Sequence, residues 1–166
     1  RGATIIGKFL LVYFLAKTLT VEQYGVWGIF QTSISLSLYV VGLDFYTYSS
    51  RRILDYPVEE RSPMLRDQLV FYFISYLVIF PILGLLFVFN EIDWRFAIFF
   101  YAILLLEHLA QETYRTFVVF SKPIIANIVL FLRTGLWPFV LLFMWFIGFD
   151  ELRNLKAVYL FWMAGG

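Results

Sequence analysis

Long apolar runs alternate with short polar segments along this chain, and the runs have the length of membrane-spanning helices. A helix needs about 20 mainly apolar residues to cross the hydrocarbon core of a bilayer. The pattern therefore predicts an all-α polytopic membrane protein with about five complete transmembrane helices and the start of a sixth. The expected spans cover residues 2–17, 21–41, 69–90, 94–120, 124–149 and from 157 onward.

Two local patterns add detail to these spans. The second span has helix-forming sequence beyond residue 41, and an unbroken helix from Val21 to Leu54 would extend about 50 Å at ~1.5 Å per residue. That length exceeds the ~30 Å core, so we expect a bend near Gly42 or a projection into water. Pro81 and Gly84 predict a kink in the third span, because proline removes a backbone donor.

The ends of the spans carry further signals. Thr20 followed by Gln23 is typical of a capping box at the start of the second span. The chain starts at Arg1 and ends inside the apolar run "FWMAGG", which favours a piece of a longer protein.

Composition agrees with a membrane protein and excludes several classes. The chain is 61% hydrophobic and only 15% charged, whereas soluble domains have about 25% charged residues. The absence of cysteine excludes disulfides, thiolate chemistry and zinc sites that use cysteine. The net charge of +1, without a long basic block, gives no reason to expect nucleic acid as a partner.

The distribution of lysine and arginine predicts the orientation. Six of these residues fall in the loops on the side of the N-terminus and four on the other side. Since positive loops stay in the cytoplasm, we expect a cytoplasmic N-terminus in a multi-pass protein of the inner (cytoplasmic) membrane.

One predicted span carries an unusual number of polar side chains. The segment "LLLEHLAQETYRTF" places Glu107, His108, Gln111, Glu112 and Arg115 within about 160° of one helix face. A charge at the bilayer centre costs at least ~2.5–3.5 kcal/mol on insertion scales. This face must therefore contact protein or water rather than lipid.

The spacing suggests partners for these charges. His108 with Glu112 and Glu112 with Arg115 are within reach of each other on one helix. If "SKP" forms a tight antiparallel turn, Arg133 lies at the depth of Gln111 and Glu112 and is a candidate cross-helix partner.

Two interpretations of this cluster remain open. The charges form static ion pairs that lock helices together, or they line a polar pathway. Five ionisable groups exceed what is needed to staple two helices, which favours the pathway. A lone histidine among scattered carboxylates lacks the usual metal-ligand set, so no metal site is expected. No catalytic or cofactor-binding motif is found, so an enzyme is not expected.

Four other charges lie at or near the membrane. Arg51 and Arg52 adjoin the membrane and are placed to contact lipid phosphates. Lys8 lies in the first span, and Asp44 follows the second.

The segment "GKFLLVYFLAKTLTVEQYGVWGIFQTSISLSLYVVGLDFYTYSSRRIL" resembles the N-terminal region of a known family. This is the polysaccharide-exporter, or O-antigen flippase, branch of the multidrug/oligosaccharidyl-lipid/polysaccharide superfamily. The shared elements here are Leu19, Thr20, Glu22, Tyr24, Gly25, Gly42, Leu43, Asp44 and Arg51 or Arg52. The fourth span, followed by "SKPIIANIVLFLR", is similar to a later part of that family.

The resemblance implies the N-terminal bundle of a two-lobed transporter. Such proteins translocate a lipid-linked oligosaccharide by alternating access for surface polysaccharide (lipopolysaccharide, O-antigen) biosynthesis. The implied partners are membrane lipids, an undecaprenyl-pyrophosphate-linked saccharide and other polysaccharide-assembly proteins. The implied substrate-pathway residues are Arg115, Arg133, Lys8, Arg51 and Arg52.

The resemblance also implies coupling to protons or sodium ions, without any other cofactor. The implied ion-coupling residues are Glu107, Glu112, Asp44 and His108. Two alternatives remain: an ion-coupled antiporter for drugs or small molecules of the same superfamily, and a polytopic membrane enzyme of saccharide assembly. In the enzyme, His108 and Glu112 would act as base and orienting group.

Overall fold

The computed structural model describes residues 2–42, 45–57, 61–89 and 91–165, and within these ranges the chain is helical without strands. A π-helical segment, Phe131–Gly135, joins α7 to α8, and a 3₁₀ turn, Trp94–Phe96, precedes α6. The helices are α1 (Gly2–Thr18), α2 (Val21–Gly42), α3 (Phe45–Arg52), α4 (Arg61–Leu83), α5 (Leu85–Val88), α6 (Ala97–Val119), α7 (Pro123–Leu130), α8 (Leu136–Phe146) and α9 (Leu155–Gly165).

Within the described ranges, four helical stretches are long and apolar enough to cross a membrane. They are Val21–Gly42, Arg61–Val88, Trp94–Val119 and Pro123–Phe146. The expected count of five complete spans is not confirmed. The first helix has 17 residues and extends only about 26 Å, while the described part of α9 has 11 residues.

The third span begins earlier than the sequence predicted. Its helix starts at Arg61 rather than near residue 69, because the polar segment 61–68 is also helical. Pro63 lies in the first turn, where a missing backbone N–H costs the helix nothing. The hydrophobic run therefore marks only the part of α4 that is apolar, and the helix itself is longer.

The first turn between spans follows its sequence signal. The capping box is confirmed: the backbone N–H of Gln23 donates to Thr20 Oγ1 at 3.2 Å, and that of Thr20 donates to Gln23 Oε1 at 3.3 Å. Further along, α2 ends at Gly42 and α3 begins at Phe45. Residues 43 and 44 lie outside the described ranges.

The expected irregularity around Pro81 is an interruption at Gly84. The backbone N–H of Gly84 donates to the carbonyl oxygens of Phe80 and Pro81, at 3.0 and 3.1 Å. A Cβ atom at Gly84 would lie 2.9 Å from the Pro81 carbonyl oxygen, so this tight turn requires glycine. The short helix α5 follows directly.

Helix α6 is the centre of the bundle, since α2, α3, α7 and α9 all pack against it. An aromatic core fixes it on one side. Phe30 of α2 stacks on Tyr159 of α9 with ring centres 4.2 Å apart, and it meets Phe100 of α6 edge-on at 5.4 Å. All three rings are fully buried.

The distribution of apolar and polar side chains on helix α4 is the reverse of that on a helix of a water-soluble protein. Its apolar stripe, which includes Leu69, Phe73 and Leu77, is exposed. The opposite stripe, which includes Gln68 and Tyr72, is buried against the bundle. This distribution suits a helix with lipid on its outer face, since polar groups in a bilayer must be satisfied inside the protein.

A glycine allows α1 to approach α8 closely, and we predict that Gly7→Leu weakens this contact. A Cβ atom at Gly7 would lie 2.8 Å from the Phe139 ring, whereas one at Gly25 has no neighbour within 4 Å among the described residues. Overpacking costs ~1–3 kcal/mol, so the midpoint of thermal unfolding in detergent should fall for Gly7→Leu. Gly25→Leu is the matched control, and an equal fall in both variants would contradict the close packing.

Candidate functional site

The polar face of α6 is buried in the bundle, as its sequence required. Glu107, His108 and Glu112 are only 6%, 1% and 7% exposed. The residues do not share one environment, however. Glu112 and His108 contact α4, whereas Glu107 contacts α9.

Glu112 has three hydrogen-bond donors. Its Oε2 accepts from the Tyr72 hydroxyl at 2.5 Å and from Gln68 Nε2 at 2.9 Å. Its Oε1 pairs with a guanidinium nitrogen of Arg115 at 2.7 Å, the spacing of one helical turn predicted from sequence. Gln68 also donates to the Tyr72 hydroxyl at 2.7 Å. The carboxylate is thus held in place by two side chains of α4 and one of its own helix.

His108 is also held by α4 rather than by Glu112. Its Nδ1 lies 2.5 Å from the Tyr76 hydroxyl, and its ring meets that of Tyr72 edge-on with centres 4.6 Å apart. The other ring nitrogen, Nε2, is buried and has no hydrogen-bond partner among the described residues. A Cβ atom at Gly42 would lie 3.5 Å from this nitrogen, so α2 closes over it.

Glu107 and Arg133 form a second, looser group. Trp162 of α9 donates its indole N–H to Glu107 Oε1 at 2.6 Å. Glu107 is near enough to act electrostatically on Arg133, but the ion pairs found in the described ranges do not include Arg133. Its Nε and one Nη are buried without a hydrogen-bond partner there.

The predicted pairing of Arg133 with Gln111 or Glu112 is therefore wrong. The prediction considered only depth in the membrane and not the direction of each side chain. Glu107 and Glu112 lie about 140° apart around the α6 axis, so Glu112 points to α4 and Glu107 points towards the helix that carries Arg133.

Arg133 lies within the π-helical segment Phe131–Gly135. Its wider turn falls between two regular helices, and Gly135 lies so close to α1 that a Cβ atom there would be 2.9 Å from Thr4 Oγ1. Such single-turn bulges often occur at functional sites. The bulge and the guanidinium are part of the same five residues.

Two cavities lie on either side of Glu112, at the end of the bundle where α6 terminates. One, of about 280 Å³ between α2 and α6, is lined by Ser35, Leu38, Tyr39, Gly42, Gln111 and Arg115. The other, of about 490 Å³ between α3 and α4, includes Tyr48, Arg52, Tyr56 and Gln68 in its lining. Glu112 lies between them, because its partner Arg115 lines the first cavity and its partner Gln68 lines the second.

The remaining predicted site residues are dispersed. Arg52 lines the α3–α4 cavity and donates to the hydroxyls of Tyr48 and Tyr56. Arg51 is exposed on α3, and Lys8 is exposed on α1 away from either cavity. Asp44 lies outside the described residues.

Sequence reasoning missed the partners supplied by α4 and α9. Gln68, Tyr72 and Tyr76 recur every four residues, a helical spacing that places three hydrogen-bonding side chains on one face of α4. Starting the third span at residue 69 left Gln68 outside it. Trp162 had no comparable signal, since an indole in an apolar run is usual.

No family model, curated protein or solved structure matches this chain.

We predict that Tyr72→Phe destabilises the bundle, because it removes a hydroxyl that donates to the buried Glu112 carboxylate. Hydrogen bonds within membrane proteins contribute roughly 0.6–2 kcal/mol, and we expect a loss in this range from unfolding in mixed detergent. Tyr39→Phe, at an 80% exposed tyrosine, should change little. The loss should shrink in a Glu112→Gln background if the two groups are coupled; an unchanged loss would rule the coupling out.

Proposed function

We propose that this chain forms part of a transporter that moves a lipid-linked oligosaccharide across the cytoplasmic membrane. The observation that carries the proposal is Arg115, a cation on a helix long enough to span the membrane that lines a cavity rather than a sealed core. A guanidinium in such a position recognises phosphate and carboxylate groups well. The anionic pyrophosphate link of the cargo implied by the sequence resemblance fits this chemistry.

The arrangement of cations supports entry of the cargo from one side. Arg52 and Arg115 line separate cavities at the end of the bundle that also carries the turn at residues 120–122. Arg61, over the ring of Phe120, belongs to the same end. On the positive-inside rule this end is cytoplasmic, as is the N-terminus. In the family that the sequence resembles, the cargo moves from the cytoplasmic to the periplasmic leaflet.

The surface of the bundle and its open cavities support a membrane transporter. The exposed apolar stripe of α4 suits contact with membrane lipids. Glu112 is held by side chains of α4 and by Arg115, and the cavities on either side of it open to the outside of the bundle. Other polysaccharide-assembly proteins are the partners that this function implies.

A second candidate is an ion-coupled antiporter for small molecules. The observation in its favour is the pair of buried carboxylates, Glu107 and Glu112, because a buried acid that binds a proton or sodium ion provides a means of coupling. In the oligosaccharide transporter the same acids would supply the coupling, so the cargo distinguishes the two candidates.

We predict that Arg115→Gln slows translocation by about tenfold or more, equivalent to ~1.4 kcal/mol. The full protein is reconstituted in vesicles that contain a fluorescent isoprenyl-pyrophosphate-linked saccharide, and an impermeant quencher reports how much label reaches the outer leaflet over time. Arg95→Gln is the control, since Arg95 is exposed at the opposite end and pairs with Asp93.

The outcomes separate the candidates. Translocation by the native protein that depends on Arg115 but not on Arg95 supports the proposal. If the native protein moves no lipid-linked saccharide but exports a cationic dye under a proton or sodium gradient, and Glu112→Gln abolishes this export, the antiporter is correct instead.

A further inference from the structure

Arg115 belongs to two environments at once. One guanidinium nitrogen pairs with Glu112 at 2.7 Å, while the side chain is 32% exposed and lines the α2–α6 cavity. The Glu112 side chain is only 8% exposed. The cation is therefore accessible from the cavity, and its carboxylate partner is shielded behind it.

The Glu112 carboxylate keeps partners if Arg115 turns away from it. Tyr72 and Gln68 both donate to Oε2, so this oxygen does not depend on the guanidinium. Only Oε1 would lose its partner, and it would face the position that the guanidinium had occupied next to the cavity. A buried carboxylate with two remaining donors is much less costly than one left without any.

The Arg115 guanidinium also interacts with an uncharged group. Its central carbon lies 4.6 Å from the centre of the Tyr46 ring on α3, within the range of a cation–π interaction. The ring can hold the cation beside the cavity whichever anion it pairs with. Arg115 thus contacts an uncharged ring, Tyr46, as well as the Glu112 carboxylate.

We propose that Glu112 is a built-in competitor for Arg115, and that the α2–α6 cavity binds a phosphate-type anion by displacing this carboxylate from the guanidinium. Gln111 and Ser35 line the same cavity and supply further hydrogen-bonding groups for the incoming anion. The proposal deepens the transport function above and rests on it for the identity of the cargo.

Competition with Glu112 makes the cavity selective. The resident anion is a carboxylate that is already in place, so a free monocarboxylate offers Arg115 nothing better. A phosphate or pyrophosphate carries more charge and more acceptor oxygens and can bind a guanidinium through two parallel hydrogen bonds. The competitor therefore favours phosphate-type groups over the acidic sugars that would otherwise bind the same cation.

The experiment measures binding of inorganic pyrophosphate to the full protein in nanodiscs of zwitterionic lipid by titration calorimetry. Removing the competitor should strengthen binding, so Glu112→Gln should lower the Kd for pyrophosphate by about tenfold. Arg115→Gln should abolish binding. Arg66→Gln is the matched control, because Arg66 is exposed, pairs with Asp67 and lines neither cavity that flanks Glu112.

Two additional measurements guard against a folding artefact. Glu112→Asp keeps the charge but shortens the side chain, and its Kd should lie between those of the native protein and Glu112→Gln. Acetate should compete with pyrophosphate in Glu112→Gln and not in the native protein. Unchanged or weaker pyrophosphate binding in both Glu112 variants, with helical content retained, would overturn the proposal.

A final measurement tests whether the phosphate group that binds belongs to a lipid. Isoprenyl pyrophosphate is added to the nanodisc lipid, and it should displace inorganic pyrophosphate from the native protein and from Glu112→Gln. Glu112→Gln could bind pyrophosphate more tightly while isoprenyl pyrophosphate fails to displace the free anion. The proposal that Glu112 competes for Arg115 would then be correct, and the proposal of a lipid-linked cargo would be wrong. Failure of the two proposals is thereby distinguished.

Discussion

The bundle depends on one constraint: polar groups inside an apolar exterior have to find partners within the protein. Glu112 meets this constraint through Tyr72, Gln68 and Arg115, and Nδ1 of His108 meets it through Tyr76. These bonds all join α6 to itself or to α4. The polar contacts therefore define how these two helices face each other, while the aromatic core around Phe30 and Tyr159 fixes α6 against α2 and α9.

The same constraint explains how much of the structure the sequence predicts. Hydrophobic run length and the positions of Thr20, Gln23, Pro81 and Gly84 indicate the helices and their interruptions, because these are local effects of the backbone. Burial of the α6 charges also follows, since lipid cannot solvate them. Which helix supplies each partner does not follow, because it depends on the rotation of every helix about its axis. The prediction used only depth in the membrane and consequently paired Arg133 with Glu112 instead of placing it near Glu107.

The two buried acids, Glu107 and Glu112, have different surroundings. Glu112 accepts from two uncharged donors and pairs with one cation, whereas Glu107 accepts an indole N–H from Trp162. Glu107 also acts electrostatically on Arg133, which lies on a π-helical turn.

These surroundings also bear on whether the charges are only structural. A set of ion pairs that served solely to lock helices would be closed, with every cation matched and no space beside it. Here Arg133 has two buried nitrogens without a hydrogen-bond partner in the described part of the chain, and Arg115 lines a cavity of about 280 Å³. Leaving buried nitrogens of a cation without a hydrogen-bond partner is costly. The two arginines therefore do not form a closed set of ion pairs, because Arg115 pairs with Glu112 beside a cavity and Arg133 has two nitrogens without a partner in the described residues.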